Sequence, residues 1–213
     1  DRIVINTSGI GTRTEALEHN LRVVREYREM ESQWLLDSNL RPGDKIIVSG
    51  TVGDHGIAIL SAREGYGFET EVKSDARPLN RMIQRLLEVG GIVSMKDPTR
   101  GGLANALNEW SEKSGVGVLL QEERIPVREG VRAACEMLGI DPLEIANEGK
   151  VIIGVVPELA DDVLTALKRM EEGRDAEVIG EATSEFGGVV METSPGGKRI
   201  IPPPYGDPVP RIC

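Results

Sequence analysis

Apolar residues recur along the chain with two different periods, and the switches between them lay out its elements. Residues 2–6 read as a short strand, stopped by the turn Ser8-Gly9-Ile10-Gly11. Over residues 12–36 the apolar positions Leu17, Leu21, Val24, Tyr27 and Leu35 share one face of a long predicted helix, opened by Thr12 or Thr14 with Glu15 behind it. Arg41-Pro42-Gly43-Asp44 is a turn. Residues 45–48 follow as a buried strand rich in β-branched residues and stopped by Gly50 and Gly53. Helices are predicted over 53–63 and over 78–89, the second opened by Pro78, whose missing N–H does no harm there. Residues 92–95 form a strand that feeds a helix running to about residue 113, and residues 116–120 form another strand. Residues 127–138 are helical, Asp141-Pro142 caps a short helix, and 151–156 is an apolar strand. An amphipathic helix over 157–170 and strands over 177–182 and 188–192 complete the pattern.

From Ile201 the pattern stops. Prolines at 202, 203, 204, 208 and 210 exclude a helix or a central strand, because proline lacks the N–H donor and fixes φ. Mixed strands and helices in this order predict an α/β (α+β) fold, a layered mixed β-sheet flanked by helices with an extended C-terminal tail. The expected division is an N-terminal strand and helical segment over 1–40 (a remnant or an insertion), an α/β domain over 41–200, and a mobile Pro-rich tail over 201–213.

Composition narrows the chemistry. Phe, Trp and Tyr make up only 3% of the 213 residues, so the core is expected to be aliphatic. The formal charge of −10 argues against a nucleic-acid partner, which needs clustered Lys and Arg. No apolar run nears the roughly 20 residues that cross a bilayer, so no membrane partner is expected. With a strand read at the first residues no signal peptide is expected, and numbering without an initiating Met is expected to begin inside a longer polypeptide. Two cysteines are too few for a disulfide scaffold, and a reduced, cytoplasmic protein is expected. Cys135 lies on a predicted helix as an inert core residue.

Three places carry candidate chemistry. Asp97-Pro98-Thr99-Arg100-Gly101-Gly102 joins a strand to a helix start, where free N–H groups and the positive helix end attract anions. Gly101 and Gly102 allow close backbone approach to a phosphate, Thr99 and Arg100 add donors, and Asp97 can share a Mg²⁺ with phosphate oxygens. The alternative is a tight turn in which Asp97 merely caps the helix. Asn147-Glu148-Gly149-Lys150 precedes a buried strand, so Glu148 stands at a strand mouth as a candidate base, or else pairs with Lys150 on the surface. His55, in Gly53-Asp54-His55-Gly56, either approaches a ligand or is held by Asp54, and His19 is read as solvated. Cys213 ends the Pro-rich tail, where packing cannot explain it. From Tyr205 such an arm spans about 30 Å when extended, with prolines keeping it out of the sheet.

At these residues the chain resembles the HypE family, the carbamoyl dehydratases of nickel–iron hydrogenase maturation, within the aminoimidazole ribonucleotide synthetase-like superfamily. The likeness lies in residues 52–60, 97–103, 125–128, 146–150 and the terminal Pro210-Arg211-Ile212-Cys213, in the family's order. It implies the fold of the C-terminal domain of such synthetases. It also implies that a carbamoyltransferase loads a carbamoyl group onto Cys213, that ATP phosphorylates its oxygen, and that a thiocyanate results whose cyanide passes to an iron-carrying scaffold complex. By the same resemblance Asp97 holds Mg²⁺, Thr99, Arg100, Gly101, Gly102, Asn147 and Gly149 bind nucleotide, Glu148 is the base, and His55 stands near the site. The family's N-terminal domain, with much of the nucleotide site and of the homodimer interface, precedes the matching segment. These residues alone are therefore expected to bind ATP weakly and turn over slowly. Two other readings stay open: a synthetase of the same superfamily acting on a free small molecule, and a non-catalytic module whose tail docks into a partner.

Overall fold

Alternation within β1 (Lys45–Val48) sends Ile46 and Val48 to one side of a sheet and Ile47 to the other, and all three are fully buried. A strand of this kind must be covered on both faces. In the computed structural model, which describes residues 8, 10–64 and 72–206, it is. α1 (Glu15–Tyr27), α3 (Asn80–Val89) and α6 (Ala160–Lys168) bring Leu17, Leu21, Met82, Leu86, Val163 and Leu167 against Ile47 and against Ile153 and Val155 of β4 (Ile152–Val155). α4 (Gly102–Ser114) brings Leu103, Leu107 and Trp110 to the opposite side, against Ile46, Val48 and Ile152. Each such aliphatic side chain contributes about 1.5–3 kcal/mol when fully buried. A smaller cluster joins α2 (Asp54–Glu64) to α5 (Glu129–Leu138) through Ile57, Leu60, Val131 and Ala134.

The remaining strands are β2 (Ile92–Lys96), β3 (Gly117–Gln121), β5 (Glu177–Thr183), β6 (Val189–Glu192) and β7 (Lys198–Ile201), and the seven lie in the order β2-β4-β1-β5-β3-β6-β7. Five neighbouring pairs are antiparallel and β3–β6 is parallel, so the sheet is mixed as expected. Register decides where the loops fall. Ile152, at the start of β4, pairs with Val48 at the end of β1 and with Lys96 at the end of β2. The chain therefore leaves β1 and β2 and enters β4 at one end of the sheet.

The structure differs from the periodicity in four places. The helix expected over 12–36 stops at Tyr27, with Thr14 as its N-cap. Arg28 is extended and gives its guanidinium to Asp44 (2.6 Å) and to the Asn39 carbonyl (2.7 Å), while Arg25 takes the carbonyls of Met30 and Ser32. Those side chains hold residues 28–36 as a loop that runs into a 3-10 turn, Asp37–Asn39, an arrangement that no helical period signals. The helix expected over 157–170 divides into a 3-10 turn, Pro157–Leu159, and α6. The helix expected from Pro78 begins at Asn80. β7 was not expected, because Lys198-Arg199-Ile200-Ile201 shows no alternation; among the described residues it pairs only with β6, and Pro202 follows it. The strand expected over 2–6 lies outside the described residues.

A charged cluster pins the loop to the helix that follows β2. Asp37 accepts from Trp110 Nε1 (3.1 Å), Lys96 Nζ (2.9 Å) and Lys113 Nζ (2.7 Å), and Lys96 also meets Glu109 at 2.7 Å. Burial alone would raise the Asp37 carboxyl, but the hydrogen bonds and charges of Lys113 and Lys96 outweigh it and hold the pKa below the usual range. Stability of that origin is full above the unfolded-state pKa and is lost as pH falls through the lowered folded value. Asp37→Ala is thus expected to cost about 1–3 kcal/mol at pH 7. In urea melts the gap to wild type should stay level down to about pH 5 and narrow below about pH 4.

Candidate functional site

Three loops meet at the sheet end defined above, and one buried amide ties them. Asn147 is fully buried. Its Oδ1 accepts from the Gly53 N–H (2.8 Å), and its Nδ2 donates to the carbonyls of Pro98 (3.2 Å) and Ile145 (2.9 Å). Its own N–H also donates to Pro98 (3.2 Å), and Gly56 donates to the Ala146 carbonyl (3.1 Å). The loop after β1, the loop after β2 and the approach to β4 are thereby one unit.

Within that unit the 97–102 segment takes a shape that two glycines make possible. Gly101 and Gly102 have φ of +66° and +61°. A Cβ on Gly102 would collide with the carbonyl oxygens of Leu143 and Ile145, so no other residue fits. Gly101 is the N-cap of α4, and no side chain caps that helix among the described residues. Asp97 is not the cap; exposed, its Oδ2 accepts from the Thr99 hydroxyl (2.8 Å), which removes the reading of Asp97 as a helix cap. Arg100 is exposed at the same turn. The arrangement offers a helix start that no described side chain caps, a hydroxyl, a guanidinium and one carboxylate, a set suited to a phosphate with its cation. Among the described residues no group of three or more His, Cys, Asp or Glu could hold a metal. One carboxylate still fits Mg²⁺ that keeps waters and phosphate oxygens as its other ligands.

Glu148 and Gly149 follow Asn147 directly, and Glu148 is half-buried. The expected surface pair of Glu148 with Lys150 is not formed. Lys150 is buried and its Nζ meets Asp75 Oδ2 at 2.6 Å. His55 is not held by Asp54 either. Its Nδ1 lies 2.8 Å from Ser74 Oγ, whereas Asp54 accepts from the Thr51 hydroxyl and faces Arg128 Nε at 3.2 Å. Burial raises the Asp54 carboxyl above its ordinary value despite those partners. Ser74 and Asp75 were not legible as site neighbours, since they sit in a polar stretch without period; Arg128 lies in the likeness segment 125–128, which gave no sign that it would face Asp54.

The tail begins beside this unit. Asn108 Nδ2 donates to the Ile201 carbonyl (3.0 Å), and Pro204 Cγ would lie 3.2 Å from a Cβ built on Gly101. The polypeptide thus leaves the sheet against the 97–102 loop. Residues 207–213, with Cys213, lie outside the described residues. Cys135 is buried beside a hollow of about 510 Å³ between α5 and the last two strands, and burial pushes its thiol up to about 11.

Residues 41–192 match the family of the AIR synthase related protein, C-terminal domain, and the chain belongs to that family. It is 48% identical over 214 residues to a putative hydrogenase expression/formation protein of Methanocaldococcus jannaschii, covering all of this chain and 59% of that protein. To the carbamoyl dehydratase HypE of Bradyrhizobium diazoefficiens it is 44% identical over 216 residues, covering all of this chain and 58% of the relative. The crystal structure of Escherichia coli HypE, a hydrogenase maturation protein, matches with a TM-score of 0.81 at 40% identity, over 84% of this chain and 56% of that one. HypE in complex with ATP gives 0.78 at 44% identity, over 81% and 54% of the two chains. A HypE–HypF complex gives 0.77 at 46%, over 79% and 55%. In sequence and fold the chain is HypE-type, and it spans just under three fifths of the length of these curated relatives.

Two outcomes follow from the geometry. Asn147→Ala strands the Gly53 N–H and a carbonyl in the interior, and denaturant melts should show a loss of about 2–4 kcal/mol. Cys135, with its thiol near 11, should resist iodoacetamide at pH 8 in the folded protein and react after unfolding, as read by peptide mass spectrometry.

Proposed function

We propose that this chain carries the C-terminal domain and tail of an ATP-dependent carbamoyl dehydratase that supplies cyanide for nickel–iron hydrogenase maturation. A carbamoyltransferase partner loads the Cys213 sulfur, giving S–CO–NH₂. The carbamoyl oxygen then attacks the γ-phosphorus of ATP, a nitrogen proton leaves, and S–C(=NH)–O–phosphate and ADP form. Loss of the second nitrogen proton expels phosphate and leaves S–C≡N; its cyanide passes to iron on a scaffold complex as the S–C bond breaks, with two electrons from a reductant of that complex returning Cys213 as a thiolate. Phosphorylation is what makes the step feasible, because an amide oxygen is a poor leaving group and a phosphate is a good one.

The observation that carries the reading is the start of the tail. Pro204 stands against Gly101, so the arm that ends in Cys213 sets out from the loop best built for a phosphate. Nine residues from Tyr205 reach about 30 Å when extended, enough to bring the thiol back to that loop. Thr99, Arg100 and the amides at Gly101 and Gly102 would hold the phosphates, and Asn147 and Gly149 would shape the nucleotide site. Glu148 would take the nitrogen protons, with His55 behind it. Mg²⁺ bound at Asp97 would neutralise phosphate charge. The names of the relatives and the ATP and HypF complexes of the structural neighbours point the same way. A homodimer of the complete protein in the cytoplasm completes the proposal; no helix among the described residues is long and apolar enough to cross a membrane.

The complete protein, incubated with its carbamoylating partner, carbamoyl phosphate and ATP, is expected to show first a carbamoyl and then a dehydrated adduct on Cys213 by mass spectrometry. Glu148→Gln should keep the first and slow the second by about 10²–10⁴-fold. No adduct on Cys213 ends the proposal, and activity that survives deletion of Ile212 and Cys213 would instead assign a free small-molecule substrate. Calorimetry on residues 1–213 alone is expected to show Mg·ATP binding weaker than micromolar.

A further inference from the structure

We infer that Asp75 and Lys150 are positioning residues for Glu148, set there to fix where its carboxylate stands. The inference rests on the reading of Glu148 as the base. Lys150 Nζ and Asp75 Oδ2 are 2.6 Å apart, and both side chains are only 4% exposed. Taking two charges out of water is costly, and an apolar pair of similar volume serves a fold as well or better. Asp75 Oδ1 is moreover buried without a hydrogen-bond partner among the described residues. Stability is therefore a poor reason for this pair.

Its geometric effect is specific. The Asp75 carbonyl rests on Gly149 so closely that a Cβ there would collide with it. The Lys150 stem crosses Gly50, with Cε 2.9 Å from where a Cβ on that residue would stand. One residue earlier, Ser74 Oγ meets His55 Nδ1 at 2.8 Å. Residues 74–77 are thus a strap stitched to α2 through His55 and to the start of β4 through Lys150, passing over Gly149. On the other side Asn147 is fastened to the loops after β1 and β2. Glu148 is the one residue between the two fastenings. A base works only within hydrogen-bond reach of its proton, and a displacement of about 1 Å costs on the order of 100-fold in rate. The ion pair supplies one of the constraints on that position.

The test uses two charge-free double variants of the complete protein, Lys150→Met with Asp75→Leu and Lys150→Met with Asp75→Asn. Thiocyanate formation on carbamoyl-Cys213 is expected to fall about 10–100-fold in kcat, with the KM for ATP within about threefold of wild type. Carbamoyl loading of Cys213 should be unchanged, and the Tm of the apolar variant should equal or exceed that of wild type. A folded variant of either kind with wild-type kcat would overturn the inference, as would a loss of turnover that only follows a lowered Tm. If the apolar variant does not fold, the asparagine variant decides by the same kcat criterion. Failure of the underlying reading looks different, because Glu148→Gln would then itself retain wild-type turnover.

Discussion

The Asn147 side chain is the contact on which the arrangement of three loops at one end of the sheet depends. A backbone N–H from one loop and carbonyls from two others have their partner in a single buried amide. Each such bond adds only about 0.5–1.5 kcal/mol net, but each group left unpaired in the interior costs about 1–3 kcal/mol. Its value lies in that asymmetry. Loops that would otherwise move separately at the ends of β1, β2 and β4 are forced to keep one mutual arrangement.

That constraint explains why the glycines and the strand register matter together. Register brings the three strand ends to one side of the sheet, and Asn147 then sets the distance between their loops. Gly102 completes the fit by letting the start of α4 lie against the carbonyls of Leu143 and Ile145. The result is a helix start without a side-chain cap among the described residues, flanked by a hydroxyl, a guanidinium and a carboxylate, with the tail leaving beside it. Chemistry at this place follows from packing farther down, since a shift of α4 on the core would move the loop with it.

Charge is used in two ways in this protein. Half-buried, Asp37 gathers Lys96, Lys113 and Trp110, and its carboxyl is held low because the hydrogen bonds and charges of those lysines outweigh its burial. In the interior, burial outweighs the partner. Asp44 is raised by burial although Arg28 stands 2.6 Å away, and Asp54 is raised although Thr51 and Arg128 face it. Interior pairs of this kind add little to stability. They place segments: Arg28 with Asp44 holds the 28–39 segment to the turn before β1, and Lys150 with Asp75 holds the strap to the start of β4.

The layered mixed sheet, most of its strands and helices, and the glycine-bearing 97–102 loop could be read from the order of residues alone. These are local matters, since alternation, helical spacing and a Gly-Gly pair after a strand are decided within a few neighbours. The terminal cysteine after a run of prolines was equally plain, because no packing argument accounts for it. The chain could not announce which distant groups would meet. The early end of α1 depends on arginines reaching Asp44 and nearby carbonyls, and β7 depends on β6 offering it an edge. Lys150 turns inward to Asp75 instead of outward to Glu148, and His55 turns to Ser74 instead of Asp54, because burial rewards whichever partner folding brings close. Pairings between residues tens of positions apart leave no period in the sequence, so the fastening of the site belonged to the tertiary structure.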